Sequence, residues 1–551
     1  MTEYQKWLEL TKDCPDLHRE LEEIADRPAE IEDRFYRELE FGTAGLRGVL
    51  GAGTNRMNVF TLRRASYGVA RYLTEHYRRP SVALSYDSRH KSAEFAREAA
   101  LVYAAMGVKV WIYPRLTPVP MLSYAVRNLG CSGGAMVTAS HNPKQYNGYK
   151  VYNEDGCQIT AEAADTIQRY ILEADYAGLP RADEERARAE GLIEDVPERV
   201  YESYMAEIRK YSLTDGDISL KIVYSPLNGA GNRPVRDILK RIGCKNVSVV
   251  PEQENPDPDF TTCPYPNPEI REALELSIRQ AEREGADLVL ATDPDADRVG
   301  IAVRHGGAMQ LLSGNDTGNL LCYYLLSRKK KMGTLPKRPV VITTIVSTPM
   351  PDAVVPAFGG EVFDVYTGFK NIGDKMKELE EEGRLSDLIL AFEESYGYLP
   401  GGYVRDKDAV AASMLICEMA DYYHEQGLDL CQVLEKMYAE FGYYASRTQS
   451  IAFGGKEGLE RMAALIEALR RNPPAVLAGS PVLTVKDYLT GVNGMEPQNV
   501  LEFSTAALKL IVRPSGTEPK LKVYAHTRGE DREACARLLD RVLAEVKALF
   551  V

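Results

Sequence analysis

Three acids at alternate positions carry the most specific chemistry in the sequence. Asp293, Asp295 and Asp297 lie in Thr292-Asp-Pro-Asp-Ala-Asp-Arg298, directly after the apolar run Leu288 to Ala291. Carboxylates this close repel one another unless a cation neutralises them. Hard oxygens converging at the end of a strand suit a divalent cation such as Mg²⁺. A calcium loop would need glycine and glutamate where this chain has Arg298 and Arg304, so EF-hand chemistry is excluded. Asp295-Ala-Asp297-Arg-Val299 also fits the D-x-D-x-[TV] opening of an aspartate-nucleophile phosphatase. The segment therefore carries two readings.

Three other loops offer complementary groups. Ala135-Met-Val-Thr-Ala-Ser-His-Asn-Pro-Lys144 ends a short apolar run in Ser140, with His141 beside it and the cations Lys144 and Lys150 downstream. A serine at a strand end can project its hydroxyl into a cleft, and nearby cations suit that hydroxyl to handling phosphate. A Ser-His-Asp hydrolase would need a G-x-S-x-G elbow, which is absent, and a histidine adjacent in sequence is not expected to face its own serine. Glu393 and Ser395, in Ala391-Phe-Glu-Glu-Ser-Tyr-Gly-Tyr398, are spaced to recognise vicinal sugar hydroxyls, and Lys370 adds a cation just upstream. Arg513-Pro-Ser-Gly-Thr-Glu-Pro-Lys520 supplies a guanidinium fork, hydroxyls and backbone N–H groups, the inventory that grips a phosphate dianion. Gly42-Thr-Ala-Gly-Leu-Arg-Gly48 lacks the preceding strand and spacing of a dinucleotide loop, which leaves Arg47 as a cation for phosphate.

These loops need rigid elements beneath them. Short β-branched runs alternate with helical stretches: strands at 81–86 and 108–113 around a helix at 91–106, and strands at 219–224, 246–250 and 288–292 with a helix at 233–242. The rhythm returns with strands at 340–344 and 361–365 around a helix at 350–357. This βαβ punctuation predicts mostly parallel sheets covered by helices, in three similar units. A charged stretch from Asp183 to Val200 reads as a boundary. The last hundred residues, with strands near 508–512 and 521–524 and a helix over 532–549, read as a smaller α+β domain. Residues 3 to 40 read as an amphipathic helical arm packed on the first domain.

The chain has 551 residues, enough for three or four domains. Its net charge of -13 argues against broad nucleic-acid binding. No apolar run approaches the roughly 18 residues of a membrane span, and the N-terminus lacks a signal-peptide layout. Nine scattered cysteines, none in C-x-x-C, read as reduced thiols of a cytoplasmic protein. No protein partner is indicated.

In this order the four loops resemble those of the α-D-phosphohexomutase superfamily from about Phe41 to the C-terminus. T-A-S-H-N-P is similar to the family's phosphoserine loop and D-P-D-A-D-R to its magnesium loop. E-E-S-Y-G is similar to the sugar loop, and R-P-S-G-T-E-P to the phosphate loop. The resemblance implies an α/β fold of three similar mixed α/β domains and a smaller C-terminal α+β domain, with the site in a central cleft. The expected limits are a 1–40 helical arm, then domains at 41–205, 206–317, 318–440 and 441–551. It implies Ser140 as phosphoryl carrier, and Mg²⁺ held by Asp293, Asp295, Asp297 and an oxygen of phospho-Ser140. Arg47, His141 and Lys150 would serve the transfer step, with Lys150 as general acid/base. Arg298, Lys370, Glu393, Ser395, Arg513, Ser515, Gly516 and Thr517 would bind substrate. The implied reaction interconverts glucose 1-phosphate and glucose 6-phosphate through glucose 1,6-bisphosphate, which is both intermediate and activator. The E-E-S loop is similar to that of phosphoglucomutases. N-P-K-Q, N-G-Y-K-V-Y, the N-terminal arm and L-E-F-G-T-A-G-L-R-G resemble the phosphopentomutase-like branch and its bacterial phosphoglucomutase relatives, a branch whose sugar loop tends to carry Ala where this chain has Ser395. Mannose or pentose phosphates are therefore the alternative substrates.

Overall fold

The computed structural model describes residues 2–214, 216–453, 455–492, 494–514 and 520–550. The chain forms two compact units, one of residues 1–317 and 368–427, the other of 318–367 and 428–551.

The first unit begins with three short helices, Glu3–Leu10, Pro15–Glu22 and Pro28–Phe35. Thr2 and Gln5 form a reciprocal cap on the first, while Pro15 and Pro28 open the other two. Proline fits the first helical turn because no intrahelical N–H bond is needed there. Trp7, 1% exposed, anchors this arm, with Phe35, Phe60 and Tyr176 edge-on around its ring.

The first sheet contains β1 (Leu46–Val49), β2 (Ser81–Tyr86), β3 (Lys109–Ile112), β4 (Gly133–Val137), β5 (Tyr146–Asn153) and β6 (Ile193–Asp195), in the order β1-β5-β4-β2-β3-β6. The pairs β4/β2, β2/β3 and β3/β6 are parallel; β1/β5 and β5/β4 are antiparallel. The sheet is mostly parallel, three pairs of five, with antiparallel pairing only at the β1-β5-β4 edge. The charged stretch 183–200 is ordered and carries β6 at the edge of the first sheet. That stretch supplies the helix Glu184–Ala189 and the strand β6 of the first domain. Ala187 and Ile193 enter the core, while Arg186, Arg188, Glu190 and Asp195 pair with one another or with Glu184 on the outside. Charge on an outer face does not make a linker.

The second sheet holds β7 (Ile218–Ser225), β8 (Cys244–Val249), β9 (Leu288–Thr292), β10 (Val299–His305) and β11 (Ala308–Leu312), in the order β11-β10-β9-β7-β8. β9 runs parallel to β7 and antiparallel to β10, so the three acids sit in the turn that reverses the chain.

The third α/β repeat has its strands in both units. In the second unit β12 (Val340–Thr344) runs parallel to β13 (Glu361–Val365). The helix expected at 350–357 is only a turn of α-helix, Pro351–Val354, followed by a 3₁₀ turn, Val355–Phe358. Pro351 fits the first turn, but Pro356 withholds the N–H that a continuing α-helix would need. In the first unit β14 (Leu388–Glu393) pairs antiparallel with β15 (Gly397–Leu399), flanked in sequence by the helices Phe369–Glu381 and Ala409–His424.

The C-terminal part of the second unit contains β16 (Tyr443–Ala452), β17 (Val476–Leu477), β18 (Ser480–Pro481), β19 (Thr484–Asp487), β20 (Leu501–Ser504), β21 (Leu508–Pro514) and β22 (Lys520–Gly529). Five of them form an antiparallel sheet, β16-β22-β21-β20-β19. Val512, Leu521, Val523 and Ala525 pack there with Leu539, Val542 and Val546 of the closing helix Arg532–Phe550. Among the described residues no helix is long and apolar enough to cross a membrane.

Candidate active site

β4 ends at Val137, and the chain turns back into β5 through the loop that carries Ser140. Ser140 is buried and has φ +51°, the left-handed region. A non-glycine residue there costs roughly 1–2 kcal/mol and persists only where its surroundings fix it. Part of that fixing is local, since the Ser140 backbone N–H donates to Thr138 Oγ1 at 2.8 Å.

The β9–β10 turn comes to meet this loop. Ser140 Oγ donates to Asp293 Oδ2 at 2.9 Å. Asp293 Oδ1 accepts the backbone N–H groups of Asp297 and Arg298, which curls the turn and directs the other carboxylates inward. Gly229 backs the turn: a side chain there would begin 2.5 Å from Pro294 Cα. All three acids are at most 2% exposed, and each offers an oxygen within 4.8 Å of the others. Asp295 Oδ1 and Asp297 Oδ1 have no hydrogen-bond partner. Buried carboxylate oxygens without donors are costly. Three oxygens so placed fit a hard divalent cation such as Mg²⁺.

Cations surround the acids. Lys150 Nζ, from β5, donates to Asp295 Oδ2 at 2.8 Å and to Asp297 Oδ2 at 3.4 Å. Lys407 Nζ lies 3.3 Å from Asp297 Oδ2 and 3.1 Å from Asp406 Oδ1. Arg298 pairs with Glu269 and holds Nε 3.7 Å from Asp297 Oδ1. Burial and the two neighbouring acids push Asp293 well above the usual carboxylate range. Burial pushes Asp295 the same way, but Lys150 outweighs it and brings this acid down to about 2. Burial favours a neutral Lys150 and a neutral Lys407; the facing carboxylates overcome it and keep both charged.

His141 departs from the sequence expectation, because its Nδ1 lies 3.1 Å from Ser140 Oγ. The left-handed turn at Ser140 folds the next side chain back towards it. Burial, with Arg298 and Arg47 nearby, lowers His141 to about 2, so the ring is neutral. Arg47 is exposed on β1 and reaches the same loop through Asn142 Oδ1 at 3.2 Å.

The sugar-type loop adjoins the metal loop. Glu393 is buried at the end of β14, and its Oε1 accepts from Gly368 N at 2.6 Å. Tyr396, at φ +64°, offers its carbonyl to Val299 N, the first residue after the metal turn. Gly314 lies against this loop so closely that a Cβ would sit 2.1 Å from Glu394 O. Ser395 and Lys370 are half-buried, with Lys370 in the first turn of the Phe369–Glu381 helix.

The first unit brings together Ser140, His141, Lys150, the three acids and Arg298, with Arg47 joined through Asn142; Glu393, Ser395 and Lys370 belong to the same unit. Arg513 ends β21 in the second unit. Ser515, Gly516 and Thr517 lie outside the described residues. Sequence reasoning missed Lys407, which stands among alternating charges in Arg405-Asp-Lys-Asp408 with no motif of its own. Only folding brings it opposite Asp297.

Profiles described as phosphoglucomutase/phosphomannomutase alpha/beta/alpha domains I, II and III and C-terminal domain match residues 38–177, 200–307, 313–441 and 457–545. A phosphoglucomutase of Staphylococcus haemolyticus is 38% identical over 508 residues, covering 90% of this chain and 91% of that one. Two solved structures share the fold. A phosphoglucomutase/phosphomannomutase family protein of Burkholderia thailandensis has TM-score 0.68 at 20% identity, over 92% of this chain and 97% of its own. The Paramecium phosphoprotein parafusin, a phosphoglucomutase in open form, has TM-score 0.70 at 16% identity, over 93% and 95%. With four matching domains and a relative this similar along nearly its whole length, the chain belongs to the phosphoglucomutase/phosphomannomutase family and is a phosphohexomutase.

Proposed function

We propose that the chain interconverts α-D-glucose 1-phosphate and glucose 6-phosphate, with Ser140 as the phosphoryl carrier and glucose 1,6-bisphosphate as intermediate and activator. The observation that carries this reading is the 2.9 Å contact of Ser140 Oγ with Asp293, in a pocket of three acids and facing lysines. The name shared by its curated relatives supports glucose as the sugar.

Asp293, Asp295 and Asp297 would hold Mg²⁺ together with an oxygen of phospho-Ser140. Bound there, the ion neutralises charge on the phosphoryl group. The protein's own residues do the rest. When Ser140 Oγ attacks a phosphate of the bisphosphate, an O–P bond forms at Oγ and the sugar–O–P bond breaks. Neutral His141, 3.1 Å from Oγ, orients the hydroxyl, whose proton replaces the one that Lys150, as general acid/base, gives the departing sugar oxygen. Lys150, held cationic, faces the charge that develops and returns a proton to the departing sugar oxygen. Lys407 and Arg298 hold the carboxylates in place, and Arg47 flanks the loop. Glu393, Ser395 and Lys370 would bind the sugar, while Arg513, Ser515, Gly516 and Thr517 grip the phosphate that is not transferred. The domain limits we propose are those expected above, 41–205, 206–317, 318–440 and 441–551 after the 1–40 arm. A cytoplasmic location accords with nine free thiols, eight of them buried.

³¹P NMR of the protein with Mg²⁺, α-glucose 1-phosphate and a trace of glucose 1,6-bisphosphate tests the reading. The expected result is glucose 6-phosphate without inorganic phosphate, and label on the peptide containing Ser140. Release of inorganic phosphate would transfer the nucleophile's role to Asp295. A tenfold preference for ribose 1-phosphate in kcat/KM would overturn the choice of sugar.

A further inference from the structure

We propose that Arg89 is a positioning residue that clamps the nucleophile loop into the shape needed for transfer; the proposal rests on the phosphoserine reading above. Arg89 is buried, and its guanidinium gathers four backbone carbonyls of one loop. Nη2 donates to Ser140 O at 2.5 Å and to Asn142 O. Nη1 donates to Pro143 O at 2.9 Å and to Tyr146 O at 3.2 Å. Four carbonyls within seven residues aimed at one point are a shape that no helix or strand supplies. Without a donor at that point the buried Ser140 carbonyl would lose this partner, and the half-buried carbonyls of Asn142, Pro143 and Tyr146 would lose the group that draws them together, although Pro143 O also accepts the Tyr146 N–H. The planar fork of arginine, with two N–H bonds on each Nη, matches the arrangement; a single ammonium does not.

The clamp is itself held from two sides. Below it, Asp87 is 2% exposed, with Oδ2 3.2 Å from Arg89 Nε. The same carboxylate accepts from Arg89 N at 3.0 Å, Ser92 Oγ at 2.7 Å and Thr138 Oγ1 at 2.6 Å. Thr138 Oγ1 in turn accepts the Ser140 N–H at 2.8 Å. Ser140 is therefore gripped at both backbone groups, its carbonyl by Arg89 and its N–H through Thr138 and Asp87. Beside the clamp, the ring of fully buried Phe260, from the second domain, lies 5.0 Å from Arg89 Cζ. The group that shapes the nucleophile loop thus also packs on the domain that carries the metal loop. Left-handed Ser140 keeps Oγ on Asp293 only while both grips hold.

The role predicts a loss in rate rather than in binding. Arg89→Lys keeps a cation beside Asp87 but cannot span the four carbonyls. Its kcat should fall about 10²-fold, the size expected when a reacting group drifts by roughly 1 Å. The single-turnover rate of Ser140 phosphorylation by glucose 1,6-bisphosphate should fall equally, with KM for glucose 1-phosphate within about twofold. Thr138→Val should lose about tenfold in the same two rates, and Thr138→Ser should recover them. Folded Arg89→Lys that phosphorylates Ser140 at the wild-type rate, or that loses KM alone, would overturn the clamp. If Arg89→Lys does not fold, the threonine pair decides: equal rates for Thr138→Val and Thr138→Ser would overturn it. Wild-type protein that never takes phosphate on Ser140 refutes the proposed function itself, a different failure from wild-type labelling left intact in the variants.

Discussion

Charge is buried in both units, but with different outcomes. In the second unit Glu502 is 2% exposed, yet Tyr488 donates to it at 2.8 Å and Lys486 lies 2.9 Å away. Burial alone would raise this acid; Lys509, Lys486 and Tyr488 together hold it below the usual range. Asp364 nearby accepts from Thr343 at 2.6 Å, with Lys509 at 3.9 Å. Each acid there has its donors, and the cluster lies beside the apolar contact of Tyr366, Tyr488, Ile511 and Tyr524. The acids of the first unit differ. They also face lysines, yet Asp295 and Asp297 each retain an oxygen without a hydrogen-bond partner, and Asp293 is driven up by its neighbours. Burial of charge does not mark a site. What sets the first unit apart is acids left short of donors beside a serine in a strained backbone turn.

The sharpest way to break this contrast is Asp293→Asn. The amide keeps one oxygen for the Asp297 and Arg298 N–H groups but removes a charge from the crowded turn. Activity with Mg²⁺ should fall by about 10²- to 10³-fold, as when a charge-stabilising group is removed from a preorganised site. Melting curves provide the second arm: Mg²⁺ should raise the wild-type Tm more than the variant's, while in EDTA the variant melts no lower. A variant that melts lower in EDTA, or responds fully to Mg²⁺, would make Asp293 an ordinary structural acid like Glu502.

Arg513→Gln asks what the second unit contributes to the reaction. A charge-assisted bond to the untransferred phosphate predicts that KM rises about tenfold or more while kcat changes less. Unchanged KM would confine the chemistry to the first unit.

The smallest effect is one of stability in the second unit. His526 on β22 is buried, and burial, then Lys509, lowers it to about 3. In the unfolded chain it titrates near 6.5. As pH falls below that value the unfolded state takes up a proton that the folded state refuses, so stability declines on acidification. By pH 5 this amounts to about 2 kcal/mol. His526→Gln, whose amide can still meet Ser446, should flatten urea-unfolding profiles between pH 6.5 and 5. An unchanged pH slope would show that His526 does not set it.

Much of this was written in the chain. Apolar runs of strand length predicted β2, β9 and β12 to the residue, because a buried strand needs continuous apolar character. The convergence of the three acids was legible in their spacing, since five residues in one turn converge however the rest folds. The charge of segment 183–200 hid its packing, because composition does not say which few apolar residues, here Ala187 and Ile193, will face a core. Pro356, within the apolar run, marks where the α-helix stops. What only the tertiary structure decided is who meets whom across the chain. Lys150 to Asp295, Lys407 to Asp297, Arg89 to four carbonyls and His141 turned back onto Ser140 depend on backbone directions that no local pattern encodes. Sequence chose the reacting groups because their types are local. Geometry chose their partners because charge acts through space, and neighbours in space are set by packing.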